Sequence, residues 1–362
     1  VARPVGLDEV LSILDRCALA HAVLDLDAGH RLVVVERGGH ALGPFDAGGR
    51  STLWLNPAAW RSATAMADFA AAGNWNIGGE RYWLAPEIRF TIRDRADYWG
   101  SYHLPAAMAP GSYRLGAAAR SVRLDTEATL ACFNPEGDVV AVGIDRRYRP
   151  LANPLRHLSA ADQLLDGVAY AGFEHSADLT LRPGSTDGAR VESWTLAQLI
   201  PDGTLVIPSS EGVEHEDYYE PVDAAHYRWA AGAALLSVTG RRRYKVGFRS
   251  PHLTGRLGYL KALPEERAQL VVRNFLNDPS SDYVEEPADR PDCRGLSVHV
   301  YNDGGVFGGF GELECNGRTV GGAAGSSGRD IFAFWQFTGP AHRVRAIAAT
   351  LLGAGAVAAA GF

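Results

Sequence analysis

Cysteine is scarce in this chain of 362 residues, with only four present. Cys17, Cys132, Cys293 and Cys315 lie far apart and form no CxxC or Cys/His pair of metal-ligand spacing. That argues against a structural zinc site and against a disulfide scaffold. The expectation is four free thiols, no metal, and a reducing, cytoplasmic compartment. Basic charge is not in excess either: 35 Lys and Arg stand against 42 Asp and Glu, a net charge of −7. The signs are interleaved, and the one basic run, Arg241–Arg243, precedes an apparent strand and reads as a solvated strand end. A nucleic-acid backbone is therefore not expected as a partner. Long hydrophobic runs are missing too. Ala346–Phe362 is uncharged but Ala/Gly-rich, and shorter than the roughly 20 apolar residues a membrane span needs. It reads as a packed terminal helix or frayed tail, so no membrane is expected. Asp8, Glu9 and Asp15 break Val1–Asp15, which does not read as a signal peptide. No phosphate loop, dinucleotide fingerprint, HExxH or GxSxG element occurs, and no cofactor is implied.

What is present is an ordinary globular composition, 46% hydrophobic and 21% charged, sufficient for a substantial core. Leu7, Val10, Leu11 and Leu14 fall at helical spacing, with Asp8 and Glu9 in the first turn, so residues 1–18 read as an N-terminal helix. The pattern then changes to short β-like runs separated by Gly, Asp, Asn and Pro. Examples are Ala22–Leu26, Arg120–Leu124, Ala128–Phe133, Val191–Leu199, Tyr244–Arg249 and Phe310–Cys315. Asn134-Pro135-Glu136-Gly137-Asp138 reads as a hairpin connection. Helical pieces are few: Ala58–Ala72, Ser159–Leu165, and Pro340–Leu352 opening a C-terminal helix and tail over 340–362. Strands occupy both halves with no linker and no fixed-period repeat. The prediction is an all-β protein, one domain over 1–362, with broad antiparallel sheets packed face to face.

Three segments hold more polar, aromatic and glycine residues than folding alone requires. The first runs Asn74-Trp75-Asn76-Ile77-Gly78-Gly79-Glu80-Arg81-Tyr82-Trp83-Leu84-Ala85-Pro86-Glu87. Sugars present apolar C–H faces and rims of hydroxyls, which suit aromatic platforms beside Asn, Glu and Arg. Trp75, Asn76, Arg81 and Glu87 are the candidate binding residues here. The structural alternative is a tight turn in which Arg81 pairs with Glu80 or Glu87. The second segment, Tyr244–His252, alternates Tyr244, Val246 and Phe248 on one strand face with Lys245, Gly247 and Arg249 on the other. Lys245 is a candidate catalytic residue and Arg249 a candidate binding residue, with a solvent-facing role as its alternative. The third runs from Tyr301 through Asn302 and a glycine-rich stretch to Glu312-Leu313-Glu314. Period 2 puts Glu312 and Glu314 on one side of a strand. Two carboxylates that close repel if both ionise, so one gains the raised pKa of a general acid or base. An exposed strand face is the plain alternative. His215, among acidic residues, and His252, in a polar loop, are further catalytic candidates.

Taken in order, these segments resemble the galactose mutarotase-like (aldose 1-epimerase-like) superfamily, from about Leu19 to Phe337. The residues that carry the likeness are Arg81-Tyr82-Trp83-Leu84-Ala85-Pro86-Glu87 after the Gly-Gly turn, Glu192–Gln198, Tyr244–Gly247, and Tyr301-Asn302-Asp303-Gly304 leading into Glu312 and Glu314. The resemblance implies a large antiparallel β-supersandwich with a few peripheral helices and a sugar site on the concave face of one sheet. It further implies that Glu312 is the general base, with Glu314 second. The histidine acid of true mutarotases has no clear counterpart, because the Asn-His-x-Tyr-Phe-Asn signature is absent.

The function expected is acid/base chemistry at or near the anomeric carbon of a sugar. Glu312 would be the base, and Lys245 or a histidine the acid. Arg81, Glu87, Trp75, Asn76, Arg249, Asn302 and Glu314 would hold a small carbohydrate. A lyase or hydrolase on a modified sugar or glycoside, and a non-catalytic sugar-binding protein, are the alternatives. Superfamily membership narrows the substrate class better than the reaction.

Overall fold

Alternating apolar and polar residues build two ten-stranded antiparallel sheets in the computed structural model, which describes residues 5–362. Residues 1–4 of the expected N-terminal segment lie outside the described residues. The front sheet runs, neighbour to neighbour, His21–Asp25, Arg31–Val35, Ala41–Phe45, Glu80–Ala85, Arg190–Leu199, Gly311–Asn316, Leu296–Asp303, Arg243–Arg249 and His215–Asp217. The short strand Val320–Gly321 also pairs with Arg190–Leu199. The back sheet runs Tyr227–Ala230, Ala233–Val238, Gly203–Pro208, Arg256–Leu263, Arg267–Phe275, Ser327–Pro340, Ala169–Leu181, Glu136–Pro150, Ser121–Phe133 and Arg114–Ala118.

The core lies between the sheets. Val246, Phe248, Val300 and Leu313 of the front sheet pack with Leu205, Tyr259, Val271 and Phe334 of the back sheet. Full burial of such a side chain contributes about 1.5–3 kcal/mol. Because one face of each front strand is committed in this way, its alternate residues must point outward. A buried ionic cluster interrupts the apolar core. The Glu80 carboxylate is in direct contact with the Arg273 guanidinium, His175 Nδ1 lies 2.7 Å from it, and the Tyr148 hydroxyl donates to it at 3.3 Å. The Arg146 guanidinium donates to His175 Nε2 and to Tyr148 in the same cluster.

A few helices pack on the outside. Leu7–Arg16 buries Leu7, Val10, Ile13 and Leu14 in a cluster with Val33, Val35, Trp60 and Met66. The second helix is shorter than its apolar pattern suggests, Ala63–Ala71. The Ser62 hydroxyl caps it by accepting from the Ala65 N–H at 3.1 Å, while Asn56 Oδ1 ties the Ala58 N–H into a preceding turn. At the C-terminal end, Ala341–Leu352 and Ala354–Ala359 are separated by Gly353 at φ +98°. Val344, Ile347 and Leu352 lie against Leu260, Leu270 and Val272 of the back sheet. None of these helices is long and apolar enough to cross a membrane.

Candidate functional site

On the outer face of the front sheet, the residues left pointing away from the core converge on a cavity. The strand Gly311–Asn316 supplies Glu312 and Glu314, while Leu313 and Cys315, which alternate with them, are in the core. Arg243–Arg249 supplies Lys245, flanked by core Tyr244 and Val246. Glu80–Ala85 supplies Arg81 and Trp83, and Arg190–Leu199 supplies Trp194 and Leu196. Glu87 enters from the short helix Glu87–Thr91, and Trp99, Tyr102 and Tyr219 close the cavity from loops and a short helical turn.

Two ionic groups organise it. In the first, Arg81 Nη1 lies 3.0 Å from Glu312 Oε1, and Nη2 donates to Oε2 at 3.4 Å. Gln198 Nε2 donates to Glu312 Oε1 at 3.0 Å. The guanidinium lies over both Trp75 and Trp83, 4.3 and 4.2 Å from their ring centroids, the two rings being tilted against each other with centroids 5.0 Å apart. In the second, Lys245 Nζ donates to Glu87 Oε2 at 2.8 Å and lies 3.9 Å from both Glu285 and Glu314. It also sits over Trp194 and Tyr218, at 4.5 and 4.7 Å. Trp194 Nε1 donates to Glu314 Oε2 at 3.1 Å. All four carboxylates are buried, and Glu285 further accepts from the Glu87 N–H.

Burial sets the protonation states. It pushes Glu314 up to about 8, against the pull of Lys245 and with help from the Glu312 charge. It pushes Glu285 up to about 8 as well, again opposed by Lys245 and assisted by Glu87. Glu312 is raised by burial too, with Arg81 and Gln198 opposing the rise. For Lys245, burial alone would favour the neutral amine, but Glu87, Glu314 and Glu285 outweigh it and hold the pKa well above the usual range. The site thus holds two ion pairs, Glu312–Arg81 and Glu87–Lys245, beside Glu285 and Glu314, whose pKa values burial raises.

Of the residues singled out from sequence, Trp75, Arg81, Glu87, Lys245, Glu312 and Glu314 all line this cavity. The others do not. Arg249 lies past a register shift between Phe248 and Arg249, which breaks its phase with Lys245, and its guanidinium pairs with Glu216. His215 pairs across the sheet with Phe248 and so faces Tyr227 on the core side. His252 ends a one-turn helix and hydrogen-bonds the Ser210 hydroxyl at 2.8 Å. Asn302 Oδ1 accepts from the Thr239 and Gly240 N–H groups and holds that turn. Asn76 is buried outside the cavity, its carbonyl accepting from Asn56 Nδ2. Arg81 does not pair with Glu80, because neighbouring strand residues face opposite sides; its partner is Glu312. His299, unremarkable in sequence, is buried next to the site and bonded to the Tyr218 hydroxyl at 2.9 Å; burial and then Lys245 hold its pKa well below the usual value. Among the described residues no three His, Cys, Asp or Glu side chains converge as a metal site would.

The fold is that of a galactose mutarotase-like β-supersandwich. A candidate aldose 1-epimerase from Escherichia coli K12 superposes with a TM-score of 0.51 at 11% identity, covering 88% of this chain and 99% of that one. A galactose mutarotase related enzyme from Lactobacillus acidophilus aligns at TM-score 0.42 and 9% identity, covering 88% and 97%. An aldose epimerase homologue from C. elegans aligns at 0.41 and 12%, covering 88% and 99%. Identities this low speak to fold and not to activity. No curated protein matches the sequence. The chain belongs to a family of unknown function, DUF6786, whose model matches residues 45–358.

Proposed function

We propose that the concave site carries out general acid/base chemistry at or near the anomeric carbon of a sugar, in the manner of a mutarotase or epimerase. The observation that carries this reading is the carboxylate pair on one strand face. Glu312 is held by Arg81 and Gln198, while burial pushes the neighbouring Glu314 up to about 8. Burial raises both groups, and the Arg81 charge favours the ionised form of Glu312, which suits Glu312 to a base and Glu314 to an acid. Glu312 accepts the proton of the C1 hydroxyl. Glu314 donates its proton to the ring oxygen as the C1–O5 bond breaks. After rotation about C1–C2 the aldehyde recloses and both protons return, so nothing is consumed. Lys245, held charged by Glu87, serves better as a fixed cation beside the developing negative charge than as a proton donor. Trp75 and Trp99 offer apolar faces for the C–H side of the ring.

The cavity as it stands has ≈ 40 Å³ open to the centre of a water molecule, enough for about three waters. Entry of a six-membered ring therefore needs the aromatic wall of Trp99, Tyr219 and Phe307 to move. The test is polarimetric mutarotation over a panel of aldoses and aldose phosphates, with tryptophan fluorescence reporting binding. Glu312→Gln and Glu314→Gln should each lower the rate by roughly 10²–10⁴-fold with little change in affinity. Binding without any turnover by the unmodified protein would point to a sugar-binding protein instead.

A further inference from the structure

The wall that carries Glu87 and Glu285 has a second side. Their close neighbours Arg89 and Glu286 line a separate cleft, where the start of the strand Arg190–Leu199, the Asn134-Pro135 turn and residues 284–294 meet. This cleft has ≈ 420 Å³ open to the centre of a water molecule, against ≈ 40 Å³ in the carboxylate site. Four arginines line it, Arg89, Arg95, Arg190 and Arg294, with only two carboxylates, Glu286 and Asp292. Those carboxylates are already taken. Glu286 contacts Arg95, and Asp292 pairs with Arg294 at 2.9 Å. Arg190 reaches out of the cleft to Asp282 at 3.4 Å.

Arg89 is the exception. Among the described residues it has no carboxylate within ion-pair distance. Its Nη1 makes one long hydrogen bond, 3.4 Å, to the Arg190 carbonyl, and its Nε is buried with no hydrogen-bond partner at all. A buried donor left unmet is costly, more so on a charged group. Here the unmet cation belongs to a roomy polar cleft whose other charged groups are mostly arginines. Guanidinium forks match pairs of oxygens on phosphate-type anions.

We propose that this cleft is an oxyanion-binding site for a phosphoryl group, with Arg89 as its central ligand and Arg190 and Arg294 beside it. The inference rests on the cleft alone and stands whether or not the carboxylate site is catalytic.

The test is calorimetric titration of the full chain with inorganic phosphate, and separately with a hexose 6-phosphate, in a phosphate-free buffer. One-to-one saturable binding is expected, weakened about tenfold or more by Arg89→Gln, as loss of a charge-assisted hydrogen bond implies. Arg294→Gln alters a more exposed side chain and should also weaken binding without changing Tm. It decides the matter if Arg89→Gln fails to fold. Arg329→Gln, on the remote strand Ser327–Pro340, should leave binding unchanged. Equal affinity for the two ligands assigns the site to a free anion; much tighter hexose phosphate binding assigns it to a sugar-borne group. Absence of saturable binding to both ligands, or affinity unchanged in a folded Arg89→Gln protein, overturns the proposal.

Discussion

Replacing Glu80 by Gln tests how the site's platform is held. Glu80 is fully buried between the sheets, one residue before Arg81 on the same strand, and it is the carboxylate that faces the buried guanidiniums of Arg273 and Arg146. Burial alone would raise its pKa, but Arg273 and His175 outweigh that and bring it down to about 2 from the ordinary 4.5. A pKa difference of one is worth about 1.4 kcal/mol, so this carboxylate contributes on the order of 3 kcal/mol at neutral pH. An independent route gives a similar figure: removing one partner of a buried ion pair costs roughly 3–5 kcal/mol, because the other charge stays uncompensated. The assay is urea unfolding of the wild type and Glu80→Gln from pH 7 to pH 2. Because the folded pKa is depressed, the contribution is fully present above about pH 4.5 and is lost as pH falls through about 2. The variant should be less stable by about 3 kcal/mol at neutral pH, and the gap should narrow in acid. A variant within about 1 kcal/mol of wild type at pH 7, or a gap that stays constant with pH, would refute the reasoning.

Three more outcomes follow from the geometry. If protonated Glu314 is the acid, the rate should fall as pH rises through about 8, and Glu314→Gln should remove that limb; a profile flat from pH 6 to about 9.5 would rule out the role. Arg249→Ala and His252→Ala, both outside the cavity, should leave turnover and affinity within about twofold of wild type, and a hundredfold loss in either would mean the site is drawn wrongly. Limited proteolysis should trim the termini before releasing any fragment, since we propose that both sheets unfold as one cooperative unit; two stable folded fragments would contradict this.

The strand phases on either side of the site were readable because each front strand has a committed apolar face. Leu313 predicts Glu312 and Glu314 outward, and Val246 with Tyr244 predicts Lys245 outward. The same rule misplaced Arg249, since a register shift after Phe248 changes the phase and leaves no mark in residue type. Long strands read as pairs of short ones in sequence, as in Ser121–Phe133, because Asp125, Thr126 and Glu127 interrupt the apolar pattern while the ladder to Glu136–Pro150 continues through them. No sequence signal marks Glu285, Trp99 or Tyr219. They sit in irregular segments, where no periodicity fixes direction, and only the folded chain brings Glu285 within 3.9 Å of Lys245. The histidines show the converse error. A polar neighbourhood in sequence points to His215 and His252, while His299 stands between valines on a strand.

The order in which the front sheet is threaded bears on how the protein comes into being. Arg81 and Glu312 are 231 positions apart, and Glu87 and Lys245 are 158 apart. The two ionic contacts of the cavity therefore close very large loops, and topologies dominated by such distant pairings fold slowly. During synthesis the strand Glu80–Ala85, with Arg81, Tyr82 and Trp83, must wait for Gly311–Asn316 to leave the ribosome before its guanidinium meets a carboxylate. Until then the edge of Arg190–Leu199, which lies between those two strands, is open to other chains, a hazard typical of large β proteins.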